Sequence, residues 1–189
     1  MGEIMASQGE ALRADAQHNR DRILEVAREA LSANPDASLN SIAKAAGVGA
    51  GTLYRHFPSR EALILGVYHK EIRALVDLVP ELLTKHPPLT AFRRWCDRLS
   101  HYGRIKHGLA EVLHAAMTDR DFNESYGPMV AAIDRLLRAG EASGDFAPGA
   151  NAEDVLLVLG FLWRIAPGEA GEARAARLLD LVIRGLRAR

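Results

Sequence analysis

One cysteine, Cys96, is all the thiol chemistry available to this chain of 189 residues. A single thiol cannot close an internal disulfide. Without a cysteine cluster there is no thiolate site for zinc or an iron–sulfur centre, and a reducing, cytoplasmic setting is expected. Aromatic residues are scarce at 6%. No segment alternates apolar and polar residues as a half-buried strand does, which argues against a sheet. An excess of either charge is missing too, since 24 Lys+Arg stand against 24 Asp+Glu. That balance excludes a histone-like polycation and an acidic disordered tail, so any nucleic acid must be held by a local patch. The longest apolar run, Val155 to Ile165, is about half a membrane span and contains Arg164. The N-terminal stretch carries Glu3, Glu10 and Asp15 with no continuous apolar core, which is not the pattern of a secretory signal.

What the chain has in quantity is alanine and helical spacing, so the expected class is all-α, with about nine helices. Residues 1–17 are polar and aperiodic and read as a flexible arm. Ile23, Leu24, Ala27, Ala30 and Leu31 repeat at helical intervals until Asn34-Pro35-Asp36 stops the helix. Ser38 is placed to cap a short helix over Leu39 to Ala46, Gly47 ends it, and a second short helix covers Ala50 to His56. Pro58 breaks the chain, and Ser59 can cap a long helix to about Val79. Pro80 and Pro87-Pro88 mark the next boundary, followed by helices near 89–103, 108–118, 128–142, 152–165 and 172–188. The expected organisation is an arm (1–17), a three-helix head (18–65) and a larger helical body (66–189).

The informative stretch runs from Leu39 to Phe57. Ile42 and Ala46 face inward, Ala43 is small where a second helix crosses closely, and Gly47 occupies the turn. Val48 plugs that turn and Leu53 anchors the second helix. Such a helix-turn-helix leaves one face of its second helix free for a DNA major groove. An ordinary helical hairpin with a glycine stop has the same spacing. The run Gly51-Thr-Leu-Tyr-Arg-His-Phe57, followed by Pro-Ser-Arg-Glu-Ala-Leu63, separates the two, because it closely resembles the signature of the TetR family of bacterial transcriptional regulators. The likeness extends over roughly residues 18–66. The segment from Leu136 to Phe146, with Glu153-Asp-Val155 after it, resembles the C-terminal domain of one actinobacterial branch.

Charge agrees with that resemblance. Across residues 38–73 five basic side chains (Lys44, Arg55, Arg60, Lys70, Arg73) face two acidic ones (Glu61, Glu71), the local excess that phosphate contacts require. Candidate DNA contacts are Ser38, Lys44, Ala50, Gly51, Thr52, Tyr54, Arg55, His56 and Arg60. The resemblance implies that Tyr54 and His56 position the backbone and that Arg60 clamps a phosphate. Arg55 serves either a base edge or a phosphate. Ala50 stands where relatives often carry a longer polar side chain, so direct readout is expected to be modest, with DNA shape or the arm (Arg13) supplying the rest.

One recognition helix per subunit calls for a two-fold dimer on a pseudo-palindrome. Leu156, Leu159, Trp163, Leu178, Leu179, Val182, Ile183 and Leu186 are the candidate interface, in two helices that the resemblance places in a four-helix dimer bundle. It also implies an effector pocket inside the body. Trp95, Leu99 and Tyr102 lie at i, i+4 and i+7, and Leu113, Met117, Met129, Ile133 and Phe161 can complete an apolar cavity for an aromatic or aliphatic small molecule. Plain core packing explains each of these residues equally well. His107, Glu111 and His114 share one helical face and would suit a metal-responsive regulator, although a solvated polar face has the same pattern. No phosphate-cradling glycine loop, G-x-S-x-G or paired carboxylate supports an enzyme or a bound cofactor. A helical protein–protein adaptor is the other class that the pattern allows.

Overall fold

The computed structural model describes residues 2–166 and 168–188, and within them the side chains of all but 2–14, 104–108, 110, 111 and 114. Among the described residues there are eight α-helices and one 3-10 turn: α1 (Gly2–Ala33), α2 (Leu39–Ala45), α3 (Ala50–His56), α4 (Arg60–Lys85), α5 (Pro88–Ala116), α6 (Asp119–Ser143), α7 (Ala152–Leu159), the turn (Gly160–Arg164) and α8 (Glu169–Leu186). Their only β pairing is an isolated bridge between Phe146 and Arg187. The polar stretch that reads as an arm is continuous with α1 from Gly2 onward.

The chain divides into two compact units, Met1–Val67 and Tyr68–Arg189, and the division falls within α4. In the first, Ile23, Leu24, Ala27 and Leu31 of α1 are buried with Ile42, Ala43 and Ala46 of α2, Leu53 of α3, and Leu63, Ile64 and Val67 of α4. In the second, Leu75 and Val79 of α4, Phe92, Trp95, Cys96 and Leu99 of α5, Ile133 and Leu136 of α6, and Leu159 of α7 are at most 1% exposed. The indole of Trp95 donates to the Leu75 carbonyl at 2.9 Å, so its polar atom is satisfied inside the core.

Three expected breaks are helix interiors. Pro80 lies inside α4 and Pro128 inside α6, because flanking residues on the same helices (Val79 and Leu82, Met129 and Ile133) are buried and that burial outweighs the proline penalty of about 3 kcal/mol. The gap expected after residue 103 is spanned by α5. Gly103 there is a packing glycine: a Cβ at this position would lie 3.1 Å from both the Leu162 carbonyl and the Trp163 ring. The helix expected over 152–165 tightens instead into the 3-10 turn after Leu159.

Candidate nucleic-acid interface and effector cavity

The head is built from local signals that can be traced residue by residue. Asn34 folds the α1–α2 loop by accepting from the Asp36 N–H at 3.0 Å through its side chain. Ser38 then caps α2, its Oγ accepting from the Ser41 N–H at 3.1 Å. Gly47 takes φ 64, a left-handed value that residues with a Cβ rarely adopt. The Val48 N–H bonds back to the Ala43 carbonyl at 3.0 Å. Ile42 and Leu53 are fully buried and lock α2 against α3. What remains outside is one face: Gly49, Ala50, Gly51, Tyr54 and Arg55 are exposed, as are Lys44 and Ser38, while Thr52 and His56 are half-buried at its edge.

Two features shape what this face can do. A Cβ built on Gly49 or Gly51 meets no atom within 4 Å, so the start of α3 is backbone and a methyl group, open to whatever approaches. Arg60 is engaged within the head, its guanidinium donating to the Ala37 and Pro35 carbonyls of the α1–α2 loop. Glu61 beside it is held below the ordinary carboxylate value by hydrogen bonds to its own backbone N–H and to Ser59.

The body holds a cavity of about 90 Å³, and a groove of about 720 Å³ lies alongside. Of the residues expected around an effector, Tyr102, Met117 and Met129 line the cavity and Phe161 lines the groove. Trp95, Leu99, Leu113 and Ile133 are buried in the helical core and touch neither. Leu156 and Trp163, read from sequence as dimer residues, belong to both linings, together with Phe122 and Tyr126. Phe122 and Tyr126 stack at 5.2 Å. Tyr68 and Tyr102 meet at 6.2 Å inside, and desolvation raises both phenols above their ordinary value of 10. Burial likewise pushes the Cys96 thiol up, away from thiolate chemistry.

Other candidates divide by exposure. Leu156, Leu159, Leu179 and Ile183 face the chain's own core, and Trp163, Leu178, Val182 and Leu186 are half-buried. Their apolar neighbours Leu157 (79% exposed), Val158 and Leu181 are left in solvent. The side chains of His107, Glu111, His114 and Arg13 lie outside those described.

Comparison with known proteins accounts for both units. A model of the C-terminal domain of SbtR-like transcriptional regulators matches residues 87–188, and one of bacterial regulatory proteins of the tetR family matches residues 23–67. A TetR transcriptional regulator from Streptomyces coelicolor, 39% identical, superposes with a TM-score of 0.77 over 89% of this chain and 98% of its own. The chain belongs to the TetR family of transcriptional regulators. A second TetR regulator, from Mycobacterium vanbaalenii, is 28% identical with a TM-score of 0.74 over 94% of this chain and 99% of its own. The HTH-type transcriptional regulator UidR of Escherichia coli K12 is 45% identical over 58 residues, 30% of this chain and 30% of that protein. This chain thus spans less than half the length of the curated relatives that it matches.

A TetR-family regulator is a DNA-binding protein and not an enzyme. Among the described residues no helix is long and apolar enough to cross a membrane. Sequence reasoning missed Tyr68, Ser125 and Tyr126, which line the cavity of this TetR protein. The aromatic pair Phe122 and Tyr126 at i, i+4 was a usable signal. Ser125 and Tyr68 gave none, since neither stands out from a polar helix surface.

Proposed function

We propose that this TetR regulator is a repressor that occupies a pseudo-palindromic operator as a homodimer and is released by a small, mainly apolar effector. The observation that carries the reading is the outer face of α3, where Gly49, Ala50, Gly51, Tyr54 and Arg55 are exposed beside Lys44. That face fits an approach to DNA in which backbone and small side chains sit close to the groove while Tyr54 and Arg55 reach phosphate or base edges. A dimer sets two such helices about 34–36 Å apart. Leu157, Val158 and Leu181 are the apolar surface available for that pairing.

Release requires the effector to bind the DNA-incompetent conformation more tightly, since equal affinity for both would shift nothing. Helix α4 begins with Arg60 in the head, and Tyr68 and Ile72 of the same helix line the cavity, so an effector that displaces α4 acts on both.

Gel-shift titration against the DNA upstream of the protein's own gene tests the reading. Specific binding that weakens steeply with salt, about 0.9 log units per log unit of salt for each phosphate contact, supports it. Binding that does not distinguish this DNA from a random duplex, or no binding at all, points instead to a protein–protein adaptor.

A further inference from the structure

One residue of the body cavity's lining carries a buried hydroxyl that no described residue uses. Tyr102 on α5 is 2% exposed, lines the cavity, and its buried Oη has no hydrogen-bond partner among the described residues. Two other hydroxyls beside it are committed. Tyr68 is hydrogen-bonded to Ser125, and the Ser125 Oγ donates to the Asp121 carbonyl at 2.9 Å. A buried donor left unpaired carries its full desolvation penalty, and native proteins keep few of them. Burial, with Tyr68 and Glu71 nearby, keeps the Tyr102 phenol well above its ordinary value of 10, so it is a neutral O–H donor at physiological pH. The described lining otherwise holds aromatic, aliphatic and thioether groups, with no Asp, Glu, Lys or Arg.

Size narrows the occupant further. The space of about 90 Å³ is smaller than the roughly 150 Å³ that admits a benzene ring. Tyr126, Leu156 and Trp163 separate it from the larger groove, and each belongs to both linings. A ring-sized molecule fits when that wall shifts and the two spaces join.

We infer that the effector is an uncharged, mainly apolar or aromatic molecule with one hydrogen-bond acceptor, a carbonyl or ether oxygen. That oxygen accepts from Tyr102 Oη inside the cavity, and the apolar remainder passes the Tyr126–Trp163 wall into the groove. The inference rests on the effector-release reading above and names the chemistry of its site.

Three probes of similar size test it by calorimetry on the full chain: acetophenone, ethylbenzene, which lacks the acceptor, and benzoate, which adds a charge. Acetophenone is expected to bind about 5–10-fold more tightly than ethylbenzene, the worth of one net hydrogen bond, and benzoate more weakly than acetophenone. In Tyr102→Phe the acetophenone advantage falls to within about twofold while ethylbenzene binding is retained. The same variant, with its orphan hydroxyl removed, melts about 2–4 °C higher without ligand.

An unchanged ratio in Tyr102→Phe, tighter binding of benzoate, failure of all three probes to bind, or a lower melting temperature in Tyr102→Phe each overturns the inference. The regulator reading is judged separately. Unliganded wild-type protein that fails to bind the upstream DNA sinks that reading, and the probe ratio still stands or falls by itself.

Discussion

Ala50 offers a single methyl group at the start of α3, between two glycines whose Cβ positions are open to solvent. A long side chain there meets no part of the protein, so its effect should appear on DNA alone. Ala50→Arg is expected to add a guanine contact and to shift preference toward G at one operator position by about 1–3 kcal/mol, with the melting temperature unchanged. Selection of bound sequences from a random duplex pool measures it; an unaltered preference would mean that this end of α3 does not reach the bases. Arg60 predicts the opposite division. Two of its N–H groups donate to the Ala37 and Pro35 carbonyls, so Arg60→Gln should destabilise the head by about 1–2 kcal/mol and leave the salt slope of operator binding in place. Arg55→Gln, altering an exposed cation, should leave stability alone and reduce that slope by about 1. A salt titration beside thermal melts of both variants separates the two roles. The resemblance implied Arg60 for phosphate; the loop carbonyls that it meets in the head are far away in sequence and left no local signal.

At the scale of elements, α6 shows how caps and close approaches set a helix. Its start is a capping box in which Thr118 Oγ1 accepts from the Asp121 N–H at 3.2 Å and the Asp121 carboxylate accepts from the Thr118 N–H at 3.0 Å. Hydrogen bonds from the Thr118 side chain and then its backbone hold the Asp121 carboxyl below its ordinary 3.8. The folded value lies under the unfolded one, so this stabilisation is fully present above about pH 3.8 and is lost as pH falls through the lower folded value. Thr118→Ala should therefore cost about 0.5–2 kcal/mol near neutral pH and lessen the acid-induced loss, as urea unfolding at pH 7 and pH 3 will show. At the other end, Gly144 takes φ 77 and Phe146 folds back on Gly140, where a Cβ would lie 2.1 Å from the ring. Gly140→Ala must displace Phe146 from its edge contact with Phe92, centroids 5.4 Å apart, and should cost about 1–3 kcal/mol. This explains why the Leu136 to Phe146 segment stood out in the sequence: its glycines serve one buried ring. Prolines misled elsewhere. Pro80 and Pro128 read as boundaries, yet each lies within a helix, because burial acts over the whole helix and a breaker acts on one residue. Periodicity therefore recovered the class and the core, and turn chemistry recovered the head almost residue by residue. Whether a Gly or Pro packs or interrupts depends on partners distant in sequence.

For the molecule as a whole, a neutral chain that binds a polyanion needs its charges sorted and a second copy to multiply a small contact. Lys44 and Arg55, exposed on the outer face of the head, supply the sorting. The apolar face left in solvent offers a place for the second copy. The resemblance places that pairing on α7, the turn after it and α8, where Leu156, Leu159, Leu179 and Ile183 are buried within the chain and Trp163, Leu178, Val182 and Leu186 are half-buried. The exposed residues are Leu157 and Val158 on α7, beside Glu153, Asp154 and Arg164, and Leu181 on α8, beside Arg174, Arg177, Arg184 and Asp180, so the first surface is on balance acidic and the second basic. A two-fold axis that lays α7 of one copy against α8 of the other joins apolar to apolar and acid to base. Leu157→Glu combined with Leu181→Glu buries two carboxylates in each copy's half of that contact and should convert the dimer to monomer, as sedimentation at micromolar protein will register. Both side chains are more than half exposed, so the fold should survive and the loss be one of association alone. Operator affinity must then fall by about 100-fold or more, because a monomer retains one half-site's contacts and loses the effective concentration that couples the second. A double variant that still sediments as a dimer would place the interface on another face.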